Sequence, residues 1–149
     1  MSRIDPINMV DVSDKAVIHR SAEAIGKIRL RKETIRAIAE GRIEKGDPLA
    51  VAEVACVLAA KKTPEIVPLC HQVPLTSVNA EFTYGDEYIE ARCLVEADYR
   101  TGVEMEALTG VSVALLTIWD MVKYLEKDES GQYPTTSISD IRVVEKRKG

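Results

Sequence analysis

A chain of 149 residues has the length of one domain and can bury roughly 70% of the surface it exposes when unfolded, so a single domain, 1–149, with one full core is expected. Its 46% hydrophobic and 30% charged residues exclude disorder. A formal charge of −4 disfavours nucleic-acid and anionic-membrane partners, so an anionic ligand would need a local basic pocket.

The first fifteen residues, MSRIDPINMVDVSDK, hold no basic flank followed by an apolar stretch, as a signal peptide would. No segment approaches ~18 uncharged apolar residues, so no membrane span is expected. From Ala16 to Leu30 the residues alternate loosely, with Ile18, Ala22, Ala24, Ile28 and Leu30 on one parity, which predicts a long strand with one buried face. Residues 33–40 (ETIRAIAE) place Ile35, Ile38 and Ala39 at helical spacing, and Gly41 stands where a left-handed cap is expected. In KGDPLAVAEVACVLAAKKTP, Asp47 suits an N-cap and Pro48 the first helical position; the helix should run to Lys61 or Lys62 and stop before Pro64. Apart from Glu53 its body is apolar all round, which predicts a sheet on one side and a second subunit on the other.

Residues 78–84 and 88–97 alternate cleanly about Gly85 and Asp86, an antiparallel hairpin. Thr101 and Glu104 have capping-box spacing ahead of a helix expected from Val103 to Lys127. A strand over Ile138–Val144 closes an order that suits an antiparallel sheet with helices on one face, an α+β fold.

Three cysteines, Cys56, Cys70 and Cys93, fall in unlike settings. That suggests no disulfide framework and a reducing, cytoplasmic setting. Cys70 and His71 lie side by side in PLCHQVPL, residues 68–75. A metal site would need a second ligand pair at suitable spacing, and the chain offers none. A nucleophile with its base is equally poorly served, because neighbours on an extended segment point to opposite sides. Spacing alone favours a buried cysteine beside a hydrogen-bonded histidine. The stiffness set by Pro64, Pro68 and Pro74 leaves backbone N–H groups of Leu69 to Gln72 without obvious ladder partners, and this suits a ligand.

Arg20 lies on the buried parity of the first strand, where a guanidinium calls for an anionic partner. Lys45, Lys61 and Lys62 fall at element ends, where solvation accounts for most lysines. On the long helix Glu106, Thr109, Thr117, Asp120 and Lys123 share one stripe interrupted by Val113 and Leu116, the pattern of a partly buried polar line. Asp120 and Lys123 at i, i+3 would otherwise be an ordinary surface ion pair. Glu106 and Asp120 are about 21 Å of helix rise apart, too far to act as one carboxylate pair.

KGDPLAVAEVACVLAAKKTPEIVPLCHQVPLTSV followed by TGVEMEALTGVSVALLTIWDMVKYLEKD resembles the molybdenum cofactor biosynthesis protein C family, the cyclic pyranopterin monophosphate synthases. The match runs from Met9 to the last strand. The chain departs from the family pattern in Gln72-Val73, where Pro-Leu is common, and in ending EKRKG without a glycine-rich tail. The resemblance implies a ferredoxin-like subunit in a homohexamer, a trimer of dimers with sites at the dimer interface. It also implies conversion of (8S)-3′,8-cyclo-7,8-dihydroguanosine 5′-triphosphate to cyclic pyranopterin monophosphate with release of diphosphate. By motif, Leu69, Cys70, His71, Met105, Glu106, Arg20 and Lys61 match substrate-binding positions, and Asp120, Lys123 and Lys45 match catalytic ones. No resident cofactor or metal is implied, although Mg²⁺ can accompany the triphosphate. Two rival readings are an oligomeric nucleotide- or pterin-binding regulatory module without catalysis, and a structural oligomer. A binding module needs cations for phosphate but no acid and base, so Asp120 and Lys123 discriminate the first. Unpaired cations such as Lys45, Lys61 and Arg20 disfavour the second, because a dry interface excludes them.

Overall fold

The computed structural model describes residues 6–149; the start of the N-terminal stretch read above, residues 1–5, lies outside the described residues. The elements are β1 (Ile18–Arg29), α1 (Lys32–Ala39), α2 (Pro48–Lys61), α3 (Thr63–Ile66), β2 (Leu75–Tyr84), β3 (Tyr88–Tyr99), α4 (Glu104–Glu126) and β4 (Ser137–Lys148). They form one four-stranded sheet in the order β2-β3-β1-β4, antiparallel at every pairing. With one helical connection on each side of the β2–β3 hairpin, this is the split β-α-β arrangement of ferredoxin-like folds.

Alternation in β1 and β3 places Ala22 opposite Val95, Ala24 opposite Cys93 and Ile28 opposite Ile89, all buried. The helices cover that face. α4 lays Ala107, Val111, Ala114, Leu115, Ile118 and Val122 into the same core, and α2 packs beside α4 through Ala52, Cys56 and Ala60. At Gly110 the layers approach closely: a methyl group there would lie 3.0 Å from Cys93 Sγ and 3.1 Å from Cys56 Sγ. Its missing side chain thus serves contact within the chain, between α4, α2 and β3.

Several expectations hold in detail. Asp47 Oδ1 accepts from the backbone N–H groups of Leu49 (3.0 Å) and Ala50 (3.4 Å) at the start of α2, and Gly41 follows α1 with φ of 70°. Others do not. α1 buries Ile35 and Ile38 but turns Ala39 outward. Pro64 does not simply end α2; it opens the short helix α3, whose first turn needs no proline N–H. The capping box is absent, because Val103 occupies the N-cap without a side-chain hydrogen bond and Glu104 turns instead to Lys146. β4 extends four residues beyond its expected end, since pairing with β1 continues to Arg20 opposite Lys148. α4 is, by length and composition alone, a helix apolar enough to cross a membrane; uncharged runs are too short to reveal that. Half of the relevant window is buried inside the protein.

Candidate functional site

The first turn of α4 carries Glu106, only 1% exposed. Among the described residues its Oε1 has no hydrogen-bond partner, and its Oε2 receives only the weak Cys70 thiol at 3.7 Å. Burial is the main cause raising the Glu106 carboxyl above its ordinary range, and the nearby Glu104 charge adds to it. The same pocket pushes the Cys70 thiol up to about 11, first by burial and then through Glu106. Cys70 therefore stays protonated near neutrality, unlike an activated nucleophile.

His71 follows Cys70 out of a turn over residues 67–70 rather than along the extended segment expected. Its Nε2 is hydrogen-bonded to the Val10 carbonyl. A carbonyl only accepts, so Nε2 is the donor. Of the backbone N–H groups from Leu69 to Gln72, among the described residues only that of Cys70 finds a backbone partner, the Val67 carbonyl at 3.1 Å. Leu69 and Met105 are part-exposed at 42% and 38% and flank this buried group in the sequence.

Arg20 is buried as expected, but among the described residues no carboxylate meets it. Its Nε donates to the Tyr99 carbonyl at 3.3 Å and one terminal nitrogen to the Arg100 carbonyl at 3.2 Å. Two neutral carbonyls use part of a five-donor fork and leave its charge uncompensated, so the remaining donors suit an anion. Lys61 lies elsewhere, at the rim of an open groove of about 370 Å³ with Val57, Pro74, Leu75 and Val78.

A second cluster stands further along α4. Asp120 receives Lys123 Nζ at 2.9 Å on one oxygen and Lys45 Nζ at 3.2 Å on the other. The Glu44 backbone N–H donates to the Tyr124 hydroxyl at 3.0 Å and ties the Lys45 loop to α4. Both lysines hold the Asp120 carboxyl below its ordinary range, Lys123 most strongly, and Asp120 in turn raises Lys123. Asp120 and Lys123 thus hold each other in the charged form. The expected partly buried stripe is therefore divided: Glu106 is covered, whereas the Asp120 and Lys123 side chains are 56% and 41% exposed on this chain. The loop carrying Cys70 covers only the head of α4. Beside the exposed trio, Leu116, Trp119, Tyr133 and Ile138 line a shallow pocket of about 360 Å³, with Trp119 edge-on to Tyr133 at 5.1 Å.

The structure thus assembles Cys70 with Glu106, and Lys45 with Asp120 and Lys123, but keeps the two groups at separate levels of α4. Among the described residues no three His, Cys, Asp or Glu side chains gather as a metal site would need.

Residues 9–149 match the family described as the MoaC family. The chain belongs to the MoaC family. A relative from Pyrococcus abyssi, named probable cyclic pyranopterin monophosphate synthase, is 63% identical over 142 residues, 95% of this chain and 89% of the relative. One from Thermococcus kodakarensis with the same name is 63% identical over 143 residues, 96% and 92% of the two chains. One from Methanothermobacter thermautotrophicus, named probable cyclic pyranopterin monophosphate synthase accessory protein, is 58% identical over 142 residues, 95% and 89%.

In this MoaC family member, sequence reasoning overlooked Glu104 and Lys146. Their ion pair at 3.2 Å joins residues 42 apart in the chain, and the capping-box spacing had given Glu104 another task. Only the three-dimensional meeting of β4 with the head of α4 reveals the contact.

Proposed function

We propose that the protein is a cyclic pyranopterin monophosphate synthase, a lyase of molybdenum cofactor biosynthesis. It converts (8S)-3′,8-cyclo-7,8-dihydroguanosine 5′-triphosphate to cyclic pyranopterin monophosphate and releases diphosphate. The observation that carries this reading is the 63% identity, across 95% of the chain, to a relative of that name.

The chemistry of the two clusters supports it. A guanine-derived ring presents N–H donors, and Glu106 offers a buried carboxylate oxygen with no other partner. Leu69, Cys70, His71 and Met105 form the surrounding substrate contacts. Arg20 and Lys61 bring cationic donors to the phosphates. Ring opening and closure need protons delivered and removed near neutrality, the role assigned to Asp120, Lys123 and Lys45. Mg²⁺, where present, travels with the triphosphate as part of the substrate.

The separation of the clusters along α4 supports a site shared between subunits, with Glu106 from one chain and Asp120 from another. The α2 face bearing Val51, Val54 and Leu58, 44–59% exposed, supports burial by a second copy. The proposed assembly is a homohexamer, a trimer of dimers, in the cytoplasm.

Incubating the purified protein with the cyclised nucleotide and measuring diphosphate and the cyclic phosphate product tests the reading. Turnover that disappears with Asp120→Asn is expected. Stoichiometric binding of the nucleotide without turnover would instead assign a non-catalytic accessory role.

A further inference from the structure

Leu116, Trp119, Asp120 and Lys123 recur at helical spacing on α4, so they share one face. Tyr133 meets that face from the loop before β4, its ring centroid 5.1 Å from that of Trp119, and Ile138 closes the side. The loop is braced on both flanks of Tyr133. Asp128 Oδ1 accepts from the Ser130 and Gln132 backbone N–H groups, both at 2.9 Å, and Thr136 Oγ1 donates to the buried Glu126 at 2.7 Å. The pocket so formed, about 360 Å³, has two chemically distinct sides: an ionic rim of Asp120 and Lys123, and an apolar, largely aromatic wall.

We infer that Trp119 and Tyr133 form the wall against which the fused ring of the cyclised nucleotide lies, while Asp120 and Lys123 act at the ring's edge. This rests on the proposed reaction and deepens it by naming the residues that recognise the ring. A group that moves a proton must come within roughly 2.6–3.2 Å of the atom concerned, and the cavity that Asp120 and Lys123 both line is this one. The wall then decides which part of the substrate it takes. Lys123, the cation at the rim, is already held by Asp120 at 2.9 Å, so the triphosphate finds little to bind here. A flat heterocycle does, because aromatic side chains stack on the face that every such ring presents. On one chain the pocket is shallow, which leaves the N–H edge of the ring to Glu106 from the neighbouring subunit.

Trp119 is the chain's single tryptophan, so its fluorescence reads the wall directly. The full-length Asp120→Asn protein, which should bind the cyclised nucleotide without consuming it, is titrated with that nucleotide and with inorganic triphosphate. Free N-acetyltryptophanamide controls for absorption by the ligand. The nucleotide should change Trp119 emission saturably, with the midpoint found by equilibrium dialysis, and triphosphate should not. In the same background Trp119→Leu should weaken nucleotide binding about tenfold or more, the scale of one lost base–aromatic stack, leave triphosphate binding unchanged, and be largely rescued by Trp119→Phe. With Asp120 intact, Trp119→Leu should raise KM more than it lowers kcat. Binding with no change in emission, an equal change with triphosphate, or unaltered affinity in Trp119→Leu would overturn the inference. So would sedimentation showing that Trp119→Leu and Trp119→Phe both fall to monomers, since the wall would then be a contact with a second copy. No binding at all would remove the inference together with the reading it rests on. Ring-dependent emission and the expected order of affinities, with no turnover in any form including the parent, would leave the inference standing and count against the proposed reaction.

Discussion

Glu106 combines near-complete burial with an unpaired oxygen, a costly arrangement unless a ligand donates to it. Its raised pKa makes that cost depend on pH. The protonated group's contribution to stability is fully present below the ordinary value of 4.5 and is lost as pH rises through the raised folded value. Glu106→Gln has no such loss. Relative to the parent it should therefore gain stability between acid and neutral pH and hold the gain above, in paired thermal melts, while substrate affinity falls by about tenfold or more. A stability difference independent of pH would mean that Glu106 is not the titrating group. Asp120 and Lys123 pose the reverse case, since both are exposed and mutually charged. Under the proposed reaction their pairing would bear on chemistry rather than on the fold. Asp120→Asn and Lys123→Ala should each slow single-turnover conversion by about a hundredfold or more, leave nucleotide binding intact, and give a double variant little worse than either. Parental turnover in either single variant would return the pair to a surface ion pair.

α4 shows which parts of an element can be read from its residues and which cannot. Its apolar positions repeat with the helical period and predict its length to within one residue at each end. β3 is equally legible, because it buries one parity against a single helical layer, and β1 departs from that pattern only at the buried Ile25. What the ends of α4 bond to is not legible. The N-cap fails because Glu104 has a stronger attraction, a lysine from β4. At the other end Glu126, within KYLEKD, looks like a solvated residue but is fully buried. It accepts from Thr34 Oγ1 at 2.5 Å, the Arg31 backbone N–H at 3.1 Å and Thr136 Oγ1 at 2.7 Å, joining α1, α4 and the approach to β4. Partners up to 95 residues away leave no local pattern. The same limit applies to Arg20, whose burial was evident from parity but whose carbonyl partners were not. Glu126→Ala would strand three donors in a dry setting, so a loss of about 3 kcal/mol or more is expected. Chemical denaturation measures it, and a loss under 1 kcal/mol, the range of an exposed residue, would show that water satisfies the stranded groups.

At the scale of the whole molecule, one chain holds both clusters of the proposed site yet cannot bring them together, because α4 is a rigid spacer between Glu106 and Asp120. Two subunits can close that gap if the head of one α4 lies near the middle of another, and a two-fold arrangement does this twice. In such an assembly the exposed α2 valines and Leu58 would supply an apolar contact, and a neighbour would cover Asp120 and Lys123. Mixing Glu106→Gln and Asp120→Asn proteins under conditions that allow subunit exchange separates this arrangement from a site within one chain. If each site takes Glu106 from one subunit and Asp120 from another, random exchange should rebuild about one quarter of the sites with both native groups. Activity should then rise from the level of the two inactive parents. If both groups belonged to one chain, every site would keep one lesion and exchange would restore nothing. Native mass spectrometry of isotopically labelled partners verifies that exchange took place. Complete mixing without recovery of turnover would overturn the shared site, as would a stable, active monomer at micromolar concentration in sedimentation.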